Sequence, residues 1–129
     1  TFSSYTMEAK PWTKTMLFIK ERVEKEVGCE FNFALVNYYA NGSDKCGAHK
    51  DNERDLDKSK PIASVSFGET RRFVLRRAGC QRKTIYLNDG DLLTMEYPTN
   101  KYWSHEIPSD KNKHKGARIN ITFRCIKNE

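Results

Sequence analysis

The sequence predicts a mainly β protein of the α+β class: a β-sandwich or jelly roll with one N-terminal helix packed on a sheet. Three observations carry that expectation. Residues 11–27 repeat apolar side chains at helical spacing. From residue 31 onward the repeat shortens to two and recurs in a series of short runs. Those runs are divided by Gly, Pro, Asn and Asp, and the 129 residues contain no internal repeat or low-complexity tract, so one domain spanning 1–129 is expected.

The helix is placed by Trp12, Met16, Ile19, Val23 and Val27, whose spacings of four, three, four and four align them on one face. Pro11 suits the first turn and Gly28 the end. A jelly-roll core is expected over 31–126. Its first strand is read from Phe31, Phe33, Leu35, Asn37 and Tyr39, which alternate with Asn32, Ala34, Val36 and Tyr38. Residues 44–60 read as a polar loop. Further strands are expected at 62–67, 72–76, 84–87, 92–97, 102–107 and 118–126. Asn88-Asp89-Gly90-Asp91 is a tight-turn sequence between two of them.

Composition narrows the function. No apolar run approaches the ~20 residues that span a bilayer, so no membrane partner is expected. Cys29, Cys46, Cys80 and Cys125 form no CxxC pair and no disulfide framework, which points to a reducing, intracellular compartment. The net charge is +6, and its distribution is uneven. Between Glu69 and Asp89 there is no acid, while Arg71, Arg72, Arg76, Arg77, Arg82 and Lys83 crowd together. Lys111, Lys113, Lys115 and Arg118 form a second acid-free cluster. Such patches fit a polyanion, most often nucleic acid, although charge on strand edges also keeps proteins soluble.

Candidate chemistry lies in two patterns. His49-Lys50-Asp51 spaces two metal-ligand types so that an extended chain points both to one side, and His105 offers a third. Two histidines and one carboxylate are the set that binds Fe(II) on one face of an octahedron, leaving the other face open. In 118–124, Arg118, Asn120, Thr122 and Arg124 share one face, and Ile119, Ile121 and Phe123 share the other. A surface strand has this pattern, and so does a strand that binds a small dicarboxylate through guanidinium forks. Asn37 and Tyr39, two apart on another strand, offer further hydrogen bonds.

Taken in order, Asn37-Tyr38-Tyr39-Ala40-Asn41-Gly42, His49-Lys50-Asp51, His105 and the RxNxTxR run at 118–124 resemble the motifs of the AlkB family of Fe(II)- and 2-oxoglutarate-dependent dioxygenases. The likeness is to its DNA-repair demethylase branch. It extends through Phe31-Asn32-Phe33, residues 61–68 and Pro98-Thr99-Asn100, covering nearly the whole chain.

The resemblance implies a double-stranded β-helix with iron inside, held by His49, Asp51 and His105 as the catalytic centre. It implies 2-oxoglutarate on Asn37, Tyr39, Arg118, Thr122 and Arg124 with Asn120 in support, and O2 as co-reactant. Phe2 falls where the family stacks an aromatic on the flipped base, and Asn52 and Glu53 fall beside the base edge. The family's repair branch carries an acid where Asn52 stands, and an amide donates as well as accepts. Only the tail of the family's nucleotide-recognition lid is expected, in residues 1–10. Arg71, Arg72, Arg76, Arg77, Lys111 and Lys113 are expected to hold phosphates. The implied activity is oxidative demethylation of bases such as 1-methyladenine and 3-methylcytosine in DNA, by a monomer, in the nucleus of a eukaryote. The same chemistry on RNA or a protein side chain, or a non-catalytic basic nucleic-acid-binding module, are the alternatives.

Overall fold

The computed structural model describes residues 12–49, 56–110 and 115–127. Helix α1 spans Lys14–Val27. It starts later than the sequence suggests because Thr13 caps it: the Thr13 Oγ1 accepts from the Met16 backbone N–H at 3.1 Å. Pro11, expected in the first turn, lies outside the described residues. Gly28 ends the helix in the left-handed region, at φ 78°, and donates its N–H to the Glu24 carbonyl at 2.8 Å. Glu24 also accepts from the Phe31 N–H at 2.7 Å, which fixes how the chain turns from helix into strand.

Among the described residues eight strands follow: β1 (Phe33–Tyr39), β2 (Cys46–His49), β3 (Ile62–Gly68), β4 (Arg71–Arg76), β5 (Lys83–Leu87), β6 (Leu92–Met95), β7 (Ser104–Ile107) and β8 (Arg118–Arg124). They form two four-stranded antiparallel sheets, ordered β1-β8-β3-β6 and β2-β7-β4-β5. The 88–91 turn therefore carries the chain from one sheet to the other rather than closing a hairpin. The Gly90 N–H donates to the Ser66 carbonyl at 2.7 Å, and Asp89 Oδ1 accepts from the Gly68 N–H at 2.8 Å.

Two segments depart from the sequence reading. Residues 97–102 form a short helix, α2 (Tyr97–Tyr102), between β6 and β7, with Pro in its first turn. Proline lacks the N–H that a strand ladder needs, so the strand expected to reach Tyr97 stops at Met95. Conversely, the expected polar loop contains β2, whose four residues pair with β7 through an irregular register between Cys46 and His49.

The core has two parts. On the outer face of the first sheet, Val23 of α1 packs with Phe31, Ala63, Val65, Ile121, Phe123 and Cys125, and Trp12, Met16, Ile19 and Val27 close over them. Trp12 stacks on Phe123 with centroids 6.5 Å apart. Between the sheets, Tyr39, Phe73, Leu87, Met95 and Ile107 form a second cluster. Among the described residues no helix is long and apolar enough to cross a membrane.

Candidate active site between the sheets

Strand β8 is central in its sheet, and both its faces are covered. Its odd positions lie toward α1. Arg118, Asn120, Thr122 and Arg124 lie on the opposite face, between the sheets, and all four are buried. The register places Tyr39 opposite Arg118, Asn37 opposite Asn120 and Leu35 opposite Thr122 on one side. On the other side it places Ser66 opposite Asn120 and Ser64 opposite Thr122. Cross-strand partners share a face, so the expected cosubstrate residues are gathered on one buried wall.

Hydrogen bonds order that wall. Asn120 Nδ2 donates to Ser64 Oγ at 2.6 Å and to the Val65 carbonyl at 3.2 Å, and its Oδ1 accepts from Thr122 Oγ1 at 3.0 Å. Arg118 Nη2 donates to Ser66 Oγ at 2.9 Å. Arg118 Nε and Nη1 have no partner among the described residues. An unpaired buried donor costs about 1–3 kcal/mol. A carboxylate is the acceptor best matched to a guanidinium with two unpaired donor nitrogens.

The Tyr39 ring lies beneath two guanidiniums, Arg118 at 5.1 Å and Arg71 at 5.4 Å from its centroid. Burial raises the Tyr39 phenol above its ordinary value, with Cys46 adding and the two arginines opposing, so the O–H is kept as a donor at neutral pH. Burial lowers Arg118 from its ordinary value, and the Tyr39 phenol works against that shift.

The second sheet supplies the facing wall. His49 and His105 are register partners across β2 and β7 and so share one face. His105 is buried and stacks on Phe73 with centroids 5.3 Å apart. Asp51, Asn52, Glu53, Phe2, Lys111 and Lys113 lie outside the described residues.

The basic stretch divides. The sequence places Arg71 among the phosphate contacts, and the structure corrects this. It is 1% exposed, and its guanidinium donates to the carbonyls of Asn41, Asp44 and Pro108 at 3.3, 2.7 and 2.8 Å. It shares strand parity with the buried Phe73, and that parity is the signal by which its burial could have been found. Arg72, half-buried, donates to the Ser109 carbonyl at 3.0 Å, and Arg76 pairs with Glu106 at 2.6 Å. Arg76, Arg77 and Arg82 line an open surface cleft of about 460 Å³ with Ala78, Cys80 and Ser104. Ser64 and Ser66 are site residues that sequence reasoning missed, although they alternate with Ala63, Val65 and Phe67.

The sequence matches the profile of the 2OG-Fe(II) oxygenase superfamily over residues 3–124. The chain belongs to that superfamily. It is 42% identical to the DNA oxidative demethylase ALKBH2 of Bos taurus and of Homo sapiens, over 98% of this chain and 48% and 51% of theirs. It is 36% identical to the Homo sapiens alpha-ketoglutarate-dependent dioxygenase alkB homolog 3, over 98% of this chain and 48% of that one. The chain thus spans about half the length of the curated relatives it matches. The solved structure of OsALKBH1 shares the fold, with TM-score 0.67 and 21% identity over 84% of this chain and 64% of that chain. This oxygenase superfamily uses Fe(II), 2-oxoglutarate and O2; of the expected iron ligands the described residues include His105 and the strand position of His49, while Asp51 lies outside them. Two histidine positions oppose each other on one face, and the wall across from them holds a buried guanidinium with donors to spare.

Proposed function

We propose that this domain removes N-methyl groups from bases such as 1-methyladenine and 3-methylcytosine in DNA, by oxidation. The observation that carries the reading is the buried row Arg118, Asn120, Thr122 and Arg124, on the sheet face whose Tyr39 packs with Phe73 and Ile107 of the sheet that carries His105. Its 42% identity to DNA oxidative demethylases supports the choice of substrate.

His49, Asp51 and His105 would hold the iron. When bound, the iron with 2-oxoglutarate and O2 supplies the oxidising power that hydroxylates the methyl carbon, with succinate, CO2 and formaldehyde as by-products. The protein does the rest. Arg118 engages a cosubstrate carboxylate with Nε and Nη1 while Ser66 steadies its third nitrogen. Tyr39, kept protonated, donates its O–H beside it. Asn37 and Arg124 complete the cradle, and Asn120 and Thr122 keep it in register. Phe73, Leu87, Met95 and Ile107 keep water out.

A base in a duplex must be flipped out to reach this space, which costs a few kcal/mol and is easiest at a damaged base. Phe2 stacks on it, with Asn52 and Glu53 at its edge. Arg72, Arg76, Arg77 and Arg82 hold the phosphates, joined by Lys111 and Lys113. The domain acts as a monomer where the DNA is, the nucleus in a eukaryotic cell.

The test is a panel of methylated DNA and RNA oligonucleotides, single- and double-stranded, scored for methyl loss and formaldehyde. The expected result is methyl loss from DNA that requires Fe(II) and 2-oxoglutarate and falls at least ~1,000-fold in His105→Ala, as for lost machinery that acts as a unit. Cosubstrate turnover that responds to RNA or a peptide but leaves methylated DNA intact would overturn the substrate assignment.

A further inference from the structure

Away from the site, the sulfurs of Cys29 and Cys125 lie 3.8 Å apart, although the residues are 96 positions apart in the chain. Cys29 follows the glycine that ends α1, and Cys125 follows the last residue of β8. The backbone around them is tied on both sides. Asn32 donates from Nδ2 to the Ile126 carbonyl at 2.8 Å, accepts from the Ile126 N–H at 2.7 Å, and donates its own N–H to the Arg124 carbonyl at 3.1 Å. Both thiols point to one acceptor, the Glu30 carbonyl, Cys125 at 2.8 Å and Cys29 at 3.4 Å. A disulfide holds its sulfurs about 2 Å apart, so the two thiols need to close by less than about 2 Å.

We propose that Cys29 and Cys125 form a reversible dithiol–disulfide pair, oxidised by exchange with a low-molecular-weight disulfide of the glutathione type. Cys29 is half-buried, whereas Cys125 is 8% exposed, so Cys29 is the sulfur that an outside reagent meets. Burial first, then the neighbouring Cys29, pushes the Cys125 thiol up to about 12, so Cys125 stays protonated until its partner is activated. The Cys29 thiolate attacks the small disulfide and releases one thiol, leaving a mixed disulfide. Cys125 then attacks the Cys29 sulfur and expels the second thiol, which takes up the Cys125 proton. Two protein thiols lose two electrons, and one small disulfide becomes two thiols. The new bond ties the exit of α1 to the end of β8, the strand that carries Arg118 and Arg124. It constrains the unfolded chain across a long loop.

The experiment equilibrates the full chain with oxidised glutathione and maps it by non-reducing peptide mass spectrometry, with Tm measured in parallel. The expected product is one peptide pair joined through Cys29 and Cys125. Its formation raises Tm by about 5–10 °C, and dithiothreitol reverses both changes. Cys29→Ser abolishes the Tm rise and leaves Cys125 open to alkylation after denaturation. The proposal fails if saturating oxidised glutathione leaves both thiols free, stops at glutathione on Cys29, or joins either cysteine only to Cys80 or Cys46. The mapping uses the unaltered chain, so its outcome does not depend on the variant folding.

Discussion

Strand β8 faces two environments, and the two faces do different work on one backbone. On the outer side Ile121 and Phe123 are buried under α1, while Ile119, beyond the reach of the helix, stays 40% exposed. On the inner side all four residues are polar and all four are buried. The outer face stabilises the fold by removing apolar surface from water. The inner face costs stability unless its polar groups are matched. Asn120, Thr122 and Ser64 match one another, but Arg118 keeps two donors unmatched among the described residues. Burial alone does not separate structural from functional residues here. Within β8, what sets Arg118 apart from Asn120 and Thr122 is that the described residues leave two of its nitrogens unmatched.

The largest test of this contrast is Phe123→Ala, on the outer face. Phe123 is fully buried and touches the rings of Trp12 and Phe31, so its loss is expected to cost about 3–5 kcal/mol in urea-unfolding stability. A loss below about 1 kcal/mol would mean that α1 is not anchored through this residue.

Gly68→Ala should blur the two faces. Gly68 has φ 96°, and a Cβ there would collide with the Ala117 carbonyl, immediately before Arg118. The expected cost is about 2 kcal/mol in stability, together with weaker 2-oxoglutarate binding because the start of β8 shifts. Stability loss with unchanged binding would separate Arg118 from its backbone support.

Smaller again is the alkaline response, one group for each core. Cys125 belongs to the outer cluster and Tyr39 to the inner one. Both are raised on folding, so the stability each contributes is complete below its ordinary value and declines above it. For Cys125 the decline runs from about pH 9 toward pH 12, and for Tyr39 it begins above pH 10. Tm measured from about pH 8 to 11 is expected to fall, less steeply in Cys125→Ala at the lower end and in Tyr39→Phe at the upper end. A flat profile in the unaltered chain would contradict both burials.

Much of this was legible in the sequence because period carries geometry. The spacing of Trp12, Met16, Ile19, Val23 and Val27 located α1 and the face that meets Phe123. The alternation in 118–124 separated the two faces of β8 but not their burial. A polar row reads the same whether water or a second sheet lies beyond it. β2 was hidden because Cys46-Gly47-Ala48-His49 has no apolar alternation and is a strand only through its pairing with β7. α2 was hidden because its apolar content continues that of β6, and only Pro98 marks the change. Charge counting could not distinguish Arg71 from Arg72. One turns inward to the 41–44 loop, and the other reaches a surface carbonyl.

The most direct test replaces one inner-face residue and reads both properties at once. Arg118→Gln is to be measured for 2-oxoglutarate affinity in the presence of Fe(II), without O2, and for unfolding free energy in urea. Affinity is expected to fall about 100-fold, the loss of one charge-assisted bidentate contact. Stability is expected to stay within about 0.5 kcal/mol of the parent or to rise, because an unmatched buried charge has been removed. Unchanged affinity, or a stability loss as large as that of Phe123→Ala, would contradict the division of labour across β8.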